Sequence, residues 1–231
     1  MRKCVVFISF IIFGNTTHAL DFQEAKKMLS KIHRDHDQQK TVYCGCEYSG
    51  NKIDLKSCGY KTQKNAKRAS RLEWEHIVPI SAIGQSFSEW RNGNKALCGS
   101  KKGRTCAKNN DRFAQIEGDM HNLWPEIGEL NGLRSNFPIA ALSGSNYDFG
   151  SCKAKIKDKK FEPQLNKGLV ARVYLYMDDA YPGHGIISTK NRKLVEAWDK
   201  TYPPSDWECE RETIVSKIQG KSNKFVFSRC K

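Results

Sequence analysis

Nine cysteines in 231 residues constrain this chain more than any other feature, and the way they do so depends on the compartment in which the chain folds. The N-terminus identifies that compartment. Met1, Arg2 and Lys3 precede the apolar run VVFISFIIF (Val5 to Phe13) and the polar segment GNTTHA, with Thr17 and Ala19 as small residues ahead of a cut near Ala19. A basic head, a short apolar middle and a small-residue cleavage site make a secretory signal peptide, here residues 1–19. The run is too short for a spanning helix, which needs roughly 20 apolar residues, and no later segment approaches that length. Cys4 leaves with the signal. Residues 20–231 keep an even set: Cys44, Cys46, Cys58, Cys98, Cys106, Cys152, Cys209 and Cys230. In an oxidising compartment these are expected to form four disulfides, one of about 105 possible connectivities. Cys98 with Cys106 and Cys209 with Cys230 are close enough for local bridges. A structural zinc site is disfavoured, because no paired CxxC with matching His or Cys ligands occurs.

Charge nominates a partner. Arg2 and Lys3 leave with the signal, so the net charge of +14 falls only to +12. So basic a chain attracts polyanions, of which phosphate backbones are the commonest, although adhesion to an anionic cell surface would satisfy the same charge.

The apolar pattern describes one α+β domain. DFQEAKKMLSKIHRDH predicts a helix over about 22–36, with Asp21 as N-cap, Glu24 three residues on, and Phe22, Ala25, Leu29 and Ile32 on one face. TVYCGCEY and KIDLKSCGY read as short strands joined at Ser49, Gly50 and Asn51. Residues 83–111 read as a long loop held in shape by its two cysteines. FAQIEGDMHNL and EIGELNGLRSNF read as helical pieces interrupted by Pro125, and KAKIKDKKFEP as a strand. Three helices follow: 164–181, one within TKNRKLVEAWDKTY, and one within SDWECERETIVSKIQG with Ser205 as cap. No internal repeat or low-complexity linker divides the chain.

The segment RLEWEHIVPI, residues 71–80, sets Glu73, Glu75 and His76 among Leu72, Trp74, Ile77, Val78 and Ile80. Buried carboxylates are costly. A strand ending near Pro79 would bring Glu75 and His76 to the rim of a sheet, where they can meet groups from another element. The stretch DMHNLWPEIGELNGLRSNF offers such groups: Asp119, His121, Asn122, Glu126, Glu129, Asn131 and Arg134. A carboxylate and an amide oxygen suffice for Mg²⁺, which prefers oxygen ligands and keeps most of its water. The HExxH spacing of zinc peptidases is absent. The five tryptophans are core residues or stacking platforms for bases.

Together YCGC, DLKSCGY, NAKRASRLEWEHIVP, EGDMHNLWPEIGELNGLRSNF and YPPSDWECER, in this order through nearly all of residues 20–231, resemble the bacterial endonuclease I family of periplasmic and secreted nucleases. The resemblance implies a single disulfide-rich α+β domain with a ββα-metal (His-Me finger) nuclease core. It also implies one Mg²⁺ ion and cleavage of DNA and RNA to 5′-phosphate ends with little sequence preference. It casts His76 as general base, Glu75 and Asn131 as metal ligands, and Arg104 as the phosphate-binding residue. The family loop commonly has two residues between that arginine and the next cysteine, whereas only Thr105 separates Arg104 from Cys106, so Lys101 or Lys102 could share the contact. Glu73, Glu117, His121, Asn122 and Arg134 fall in the matched motifs as supports for the ligands, substrate contacts or stabilisers of the fold. A monomer, periplasmic or secreted and free of stable membrane association, is expected. The competing readings are a secreted nucleic-acid-binding module without catalysis and a metal-dependent hydrolase of another substrate.

Overall fold

The computed structural model describes residues 20–230; the expected signal peptide, residues 1–19, lies outside the described residues. Asp21 caps the first helix, α1 (Phe22–Asp35): its carboxylate accepts the N–H groups of Gln23 and Glu24, and Glu24 accepts the Asp21 N–H. The buried face of α1, Ala25, Leu29 and Ile32, packs with Met120, Leu123 and Val215 in a small apolar cluster.

Strands β1 (Tyr48–Ser49) and β2 (Lys52–Ile53) are shorter than the sequence predicts, because residues 41–46 turn on themselves: Thr41 N–H donates to the Cys46 carbonyl and Gly45 N–H to that of Thr41. A single turn, α2 (Ala66–Ala69), leads into β3 (Leu72–His76). The expected loop over residues 83–111 is instead a chain of short helical pieces: α3 (Ile80–Gly84), α4 (Ser88–Arg91), α5 (Lys95–Cys98) and α6 (Arg104–Ala107), followed by α7 (Asp111–Glu117). Pieces this short carry no readable helical period.

A 3₁₀ turn at Met120–Asn122 runs into β4 (Leu123–Ile127), a strand where the sequence suggests interrupted helix. β4 pairs antiparallel with β3 alone, in the register Glu75 opposite Trp124 and His76 opposite Leu123. Pro125 fits because it faces away from β3, its carbonyl accepting the Val42 N–H, so no β3 ladder bond needs its missing donor. Helix α8 (Gly128–Arg134) follows at once and packs on both strands, completing a ββα unit. Its entry requires glycine. A Cβ on Gly128 would lie 2.7 Å from the Arg68 carbonyl oxygen, and one on Gly132 would lie 2.1 Å from the Arg68 guanidinium.

The expected strand over KAKIKDKKFEP is a hairpin, β5 (Lys155–Lys157) and β6 (Lys160–Glu162), turned by Asp158 and Lys159, both in left-handed conformation. Helix α9 (Lys167–Ala180) is buried without a break from Gly168 to Met177, so it belongs to the core. Helices α10 (Thr189–Thr201), α11 (Asp206–Gln219) and α12 (Lys224–Phe227) follow, with Ser205 capping α11 as expected. Four disulfides close the framework: Cys98–Cys106 and Cys209–Cys230 locally, Cys46–Cys58, and Cys44–Cys152 across a separation of 108 residues. This is the disulfide-rich α+β fold with a ββα core that the sequence predicts.

Candidate active site

The end of β3, the middle of α8, the start of α1 and the start of α6 converge on a cavity of about 800 Å³. Glu73, Glu75, His76, Arg104 and Asn131 all line it; Lys101 and Lys102 are not among its lining residues.

Glu75 is 3 % exposed. One carboxylate oxygen, Oε1, accepts from Arg134 Nη1 at 2.7 Å and from the Tyr43 hydroxyl at 3.2 Å. No described residue donates to Oε2, and the carboxylate lines the cavity. Burial pushes the carboxyl up to about 7, against the pull of Arg134 and the Tyr43 hydroxyl. A cation at Oε2 would favour the ionised carboxylate further.

Arg134 is itself buried. Besides Glu75 it donates to the carbonyls of His76 (2.9 Å) and Ile77 (2.6 Å), so one guanidinium fixes both the carboxylate and the backbone that carries it. Glu126, opposite Glu73 in β4, accepts the N–H groups of Tyr43 (2.6 Å) and Ile127 (2.8 Å); burial pushes it up to about 8 despite those bonds.

His76 Nε2 lies 2.9 Å from the Glu117 carbonyl oxygen. That oxygen can only accept, so Nε2 carries the proton and Nδ1 of the neutral ring keeps its lone pair. Burial holds the imidazole down to about 3, helped by the charges of Arg104 and Arg134, with the Glu117 carbonyl pulling the other way. The ring is therefore neutral, with an unprotonated Nδ1, throughout the physiological range.

Arg104 begins α6, where Glu117 accepts from its Nε. No described residue accepts from Nη1 or Nη2, which leaves the fork available to a phosphate. Asn131, in the middle of α8, lines the cavity with its amide free of described hydrogen bonds. The described residues contain no cluster of three or more His, Cys, Asp or Glu side chains arranged to hold a metal. The donor set facing the cavity is one carboxylate oxygen and one amide oxygen, which suits a hard, largely hydrated cation and not zinc.

The remaining expected residues divide. Glu73 lines the cavity but is bound by Arg68 and Arg71, both bonds of the Arg68 fork falling on it (3.0 and 2.8 Å). Asn122 clamps the backbone just after β3, accepting the Val78 N–H at 2.7 Å and donating to its carbonyl at 3.0 Å. His121 lies away from the cavity, where Nε2 bonds the Lys221 carbonyl and Nδ1 sits 3.3 Å from Glu212. Of the tryptophans, Trp74 lines the cavity, whereas Trp124 and Trp198 are buried in the core. Sequence reasoning missed Phe22, Lys26 and Lys27 of α1 and Arg68 of α2, which also line the cavity. The adjacent lysines were the available signal.

The sequence profile of the Endonuclease I family matches residues 14–230. The chain belongs to the Endonuclease I family. An extracellular deoxyribonuclease of Aeromonas hydrophila is 43 % identical over 222 residues, covering 92 % of each chain. A periplasmic deoxyribonuclease of the same organism is 38 % identical, covering 92 % of this chain and 87 % of its own. Endonuclease-1 of Buchnera aphidicola is 39 % identical, covering 91 % and 82 %. As an Endonuclease I member this chain is a nuclease, and the periplasmic or secreted location expected from its N-terminus agrees with the relatives' names. No described helix is long and apolar enough to cross a membrane.

Proposed function

We propose that this Endonuclease I protein is an Mg²⁺-dependent, nonspecific endonuclease that hydrolyses DNA, and RNA as well, to 5′-phosphate ends. Residues 1–19 direct its export and residues 20–231 form the nuclease domain, acting as a monomer. The observation that carries this reading is the pairing of a neutral His76, proton on Nε2 and lone pair on Nδ1, with the single unbound oxygen of Glu75 in one cavity.

His76 Nδ1 takes a proton from the attacking water as the new phosphorus–oxygen bond forms and the bond to the 3′ oxygen breaks. Glu117 fixes the imidazole through its carbonyl and Arg104 through its carboxylate, so that the Arg104 fork meets the phosphate beside the base. Glu75 and Asn131 would hold the ion, and Arg134 keeps Glu75 turned toward it. When bound, Mg²⁺ offsets charge developing on the phosphate and supplies a water able to protonate the departing 3′ oxygen. Lys26 and Lys27 line the same cavity and bind backbone without reading bases, which supports low sequence preference.

Supercoiled plasmid and a single-stranded RNA, each incubated with purified oxidised protein, should be degraded with Mg²⁺ and left intact with a chelator. Full cleavage in chelator would overturn the metal requirement, and intact RNA would restrict the substrate to DNA.

A further inference from the structure

We infer that Phe22, the first residue of α1, is a positioning residue that locks the general base and the phosphate-binding arginine into one unit. This rests on the roles proposed above for His76 and Arg104.

Three side chains and residue Glu117, through both its main-chain carbonyl and its carboxylate, form a closed ring. The Phe22 ring stacks on the His76 imidazole, with centroids 5.0 Å apart and planes inclined by 26°. His76 Nε2 donates to the Glu117 carbonyl at 2.9 Å. The Glu117 carboxylate accepts from Arg104 Nε. The Arg104 guanidinium carbon then lies 4.8 Å from the centre of the Phe22 ring, which closes the circuit. Phe22 is the only apolar member and the only one contributed by α1.

Each neighbour needs this contact for a stated reason. A single hydrogen bond at Nε2 leaves an imidazole free to tilt about the bond axis, and torsion about an sp³–sp² bond has broad wells. A stacked ring removes that freedom and fixes the direction of the Nδ1 lone pair. Arg104 is a long side chain, 45 % exposed and anchored to Glu117 through Nε. An aromatic ring against its guanidinium plane limits where the free Nη1 and Nη2 fork can swing. Phe22 itself is well fixed. The reciprocal cap at Asp21 sets the first turn of α1. The start of α1 is pressed onto Gly118, where a Cβ would lie 2.2 Å from the Leu20 carbonyl oxygen. That contact places Phe22 next to Glu117. Phe22 is partly buried, packing on the edge of the small apolar cluster under α1, and lines the cavity, so an apolar replacement keeps that packing while removing the stack.

A misplacement of about 1 Å in a catalytic group costs on the order of a hundredfold in rate. The experiment compares wild type, Phe22→Leu, Phe22→Tyr and His76→Ala in cleavage of a labelled DNA duplex at saturating Mg²⁺, with thermal midpoints measured alongside. Leucine keeps an apolar side chain and removes the stack; tyrosine keeps the stack. The expected result for Phe22→Leu is kcat lowered at least tenfold, KM raised several-fold and an unchanged thermal midpoint. Phe22→Tyr should stay within about threefold of wild type. The inference is overturned by wild-type kinetics in Phe22→Leu, or by equal impairment of the leucine and tyrosine proteins, when His76→Ala is inactive. Undiminished cleavage by His76→Ala would overturn the underlying assignment of the base, and this inference with it.

Discussion

Arg134→Met removes the guanidinium that neutralises Glu75 while leaving an apolar side chain in the buried slot. Burial already lifts Glu75 to about 7 with Arg134 present, against an ordinary value of 4.5. A carboxyl whose folded pKa lies above its unfolded one contributes stability that is complete below the unfolded value. That contribution is lost as pH rises through the folded value. Without Arg134 the folded value moves higher still, so the loss continues above pH 7 instead of levelling off there.

Each pH unit above 7 therefore adds about 1.4 kcal/mol to the deficit of the variant until Glu75 ionises. The carbonyls of His76 and Ile77, bonded by Arg134 at 2.9 and 2.6 Å, lose about 1 kcal/mol each at any pH. The deficit should be about 2 kcal/mol at pH 5, where Glu75 is protonated in both proteins, and about 5 kcal/mol at pH 9, close to the 3–5 kcal/mol cost of breaking a buried pair. Urea unfolding of the metal-free, disulfide-intact proteins, followed by tryptophan fluorescence, measures both values. Measured against Glu75→Gln instead of wild type, Glu75→Gln/Arg134→Met should show a deficit that does not change with pH. A deficit equal at the two pH values, or larger at pH 5, would refute the claim that Arg134 acts by neutralising Glu75.

His33 gives the opposite pH window. Burial, with the charge of Arg211 behind it, holds its imidazole down to about 3. Nδ1 donates to the Gln38 carbonyl and Nε2 accepts from Arg211. Its contribution to stability is complete above pH 6.5 and is lost as pH falls toward 3, by about 1.4 kcal/mol per unit. His33→Gln should reduce the slope of this acid limb, to which His76 contributes in the same direction, in denaturation measured at pH 6.5 and pH 4; an unchanged slope would show that His33 is not a source of it. Opening the Cys98–Cys106 bridge by Cys98→Ser/Cys106→Ser loosens the segment that carries Arg104. KM for duplex DNA should rise about tenfold with a smaller change in kcat, since positioning accounts for a factor of that order or more. Unaltered KM would show that the bridge does not place Arg104.

Much of the site was legible because its donors occupy short, ordered motifs. The polar groups on a buried strand end drew attention to Glu75 and His76, and the resemblance to the endonuclease I family assigned roles to them and to Asn131; all three line one cavity. The same reading failed for LWPEI. A five-residue apolar run has no period that separates strand from helix, and the decision comes from pairing with β3, with Pro125 facing the open edge. Residues 80–107 form helical turns too short to have a period, stabilised by the Asn94 cap of α5 and a disulfide.

The sequence named Arg134 and His121 without fixing what each touches, and did not place Phe22 at the site at all. Phe22 sits in the apolar stripe of α1 and reads as core; only the approach of Gly118 to Leu20 brings it to the cavity. Arg134 is the last residue of α8, where a cation also suits the helix dipole, so its bonds to β3 leave no separate trace. His121 lies one residue from Asn122 yet faces Glu212 and Lys221 in the interior, because the 3₁₀ turn points neighbouring side chains apart.

The central claim is that His76, held neutral with its Nδ1 lone pair toward the cavity, is the base for phosphodiester hydrolysis. Single-turnover cleavage of a labelled duplex by wild type and His76→Ala, at saturating Mg²⁺ and with matched thermal midpoints and DNA affinity, tests it most directly. The account predicts a loss of about a hundredfold or more, the scale of general-base catalysis. A rate within threefold of wild type would contradict it.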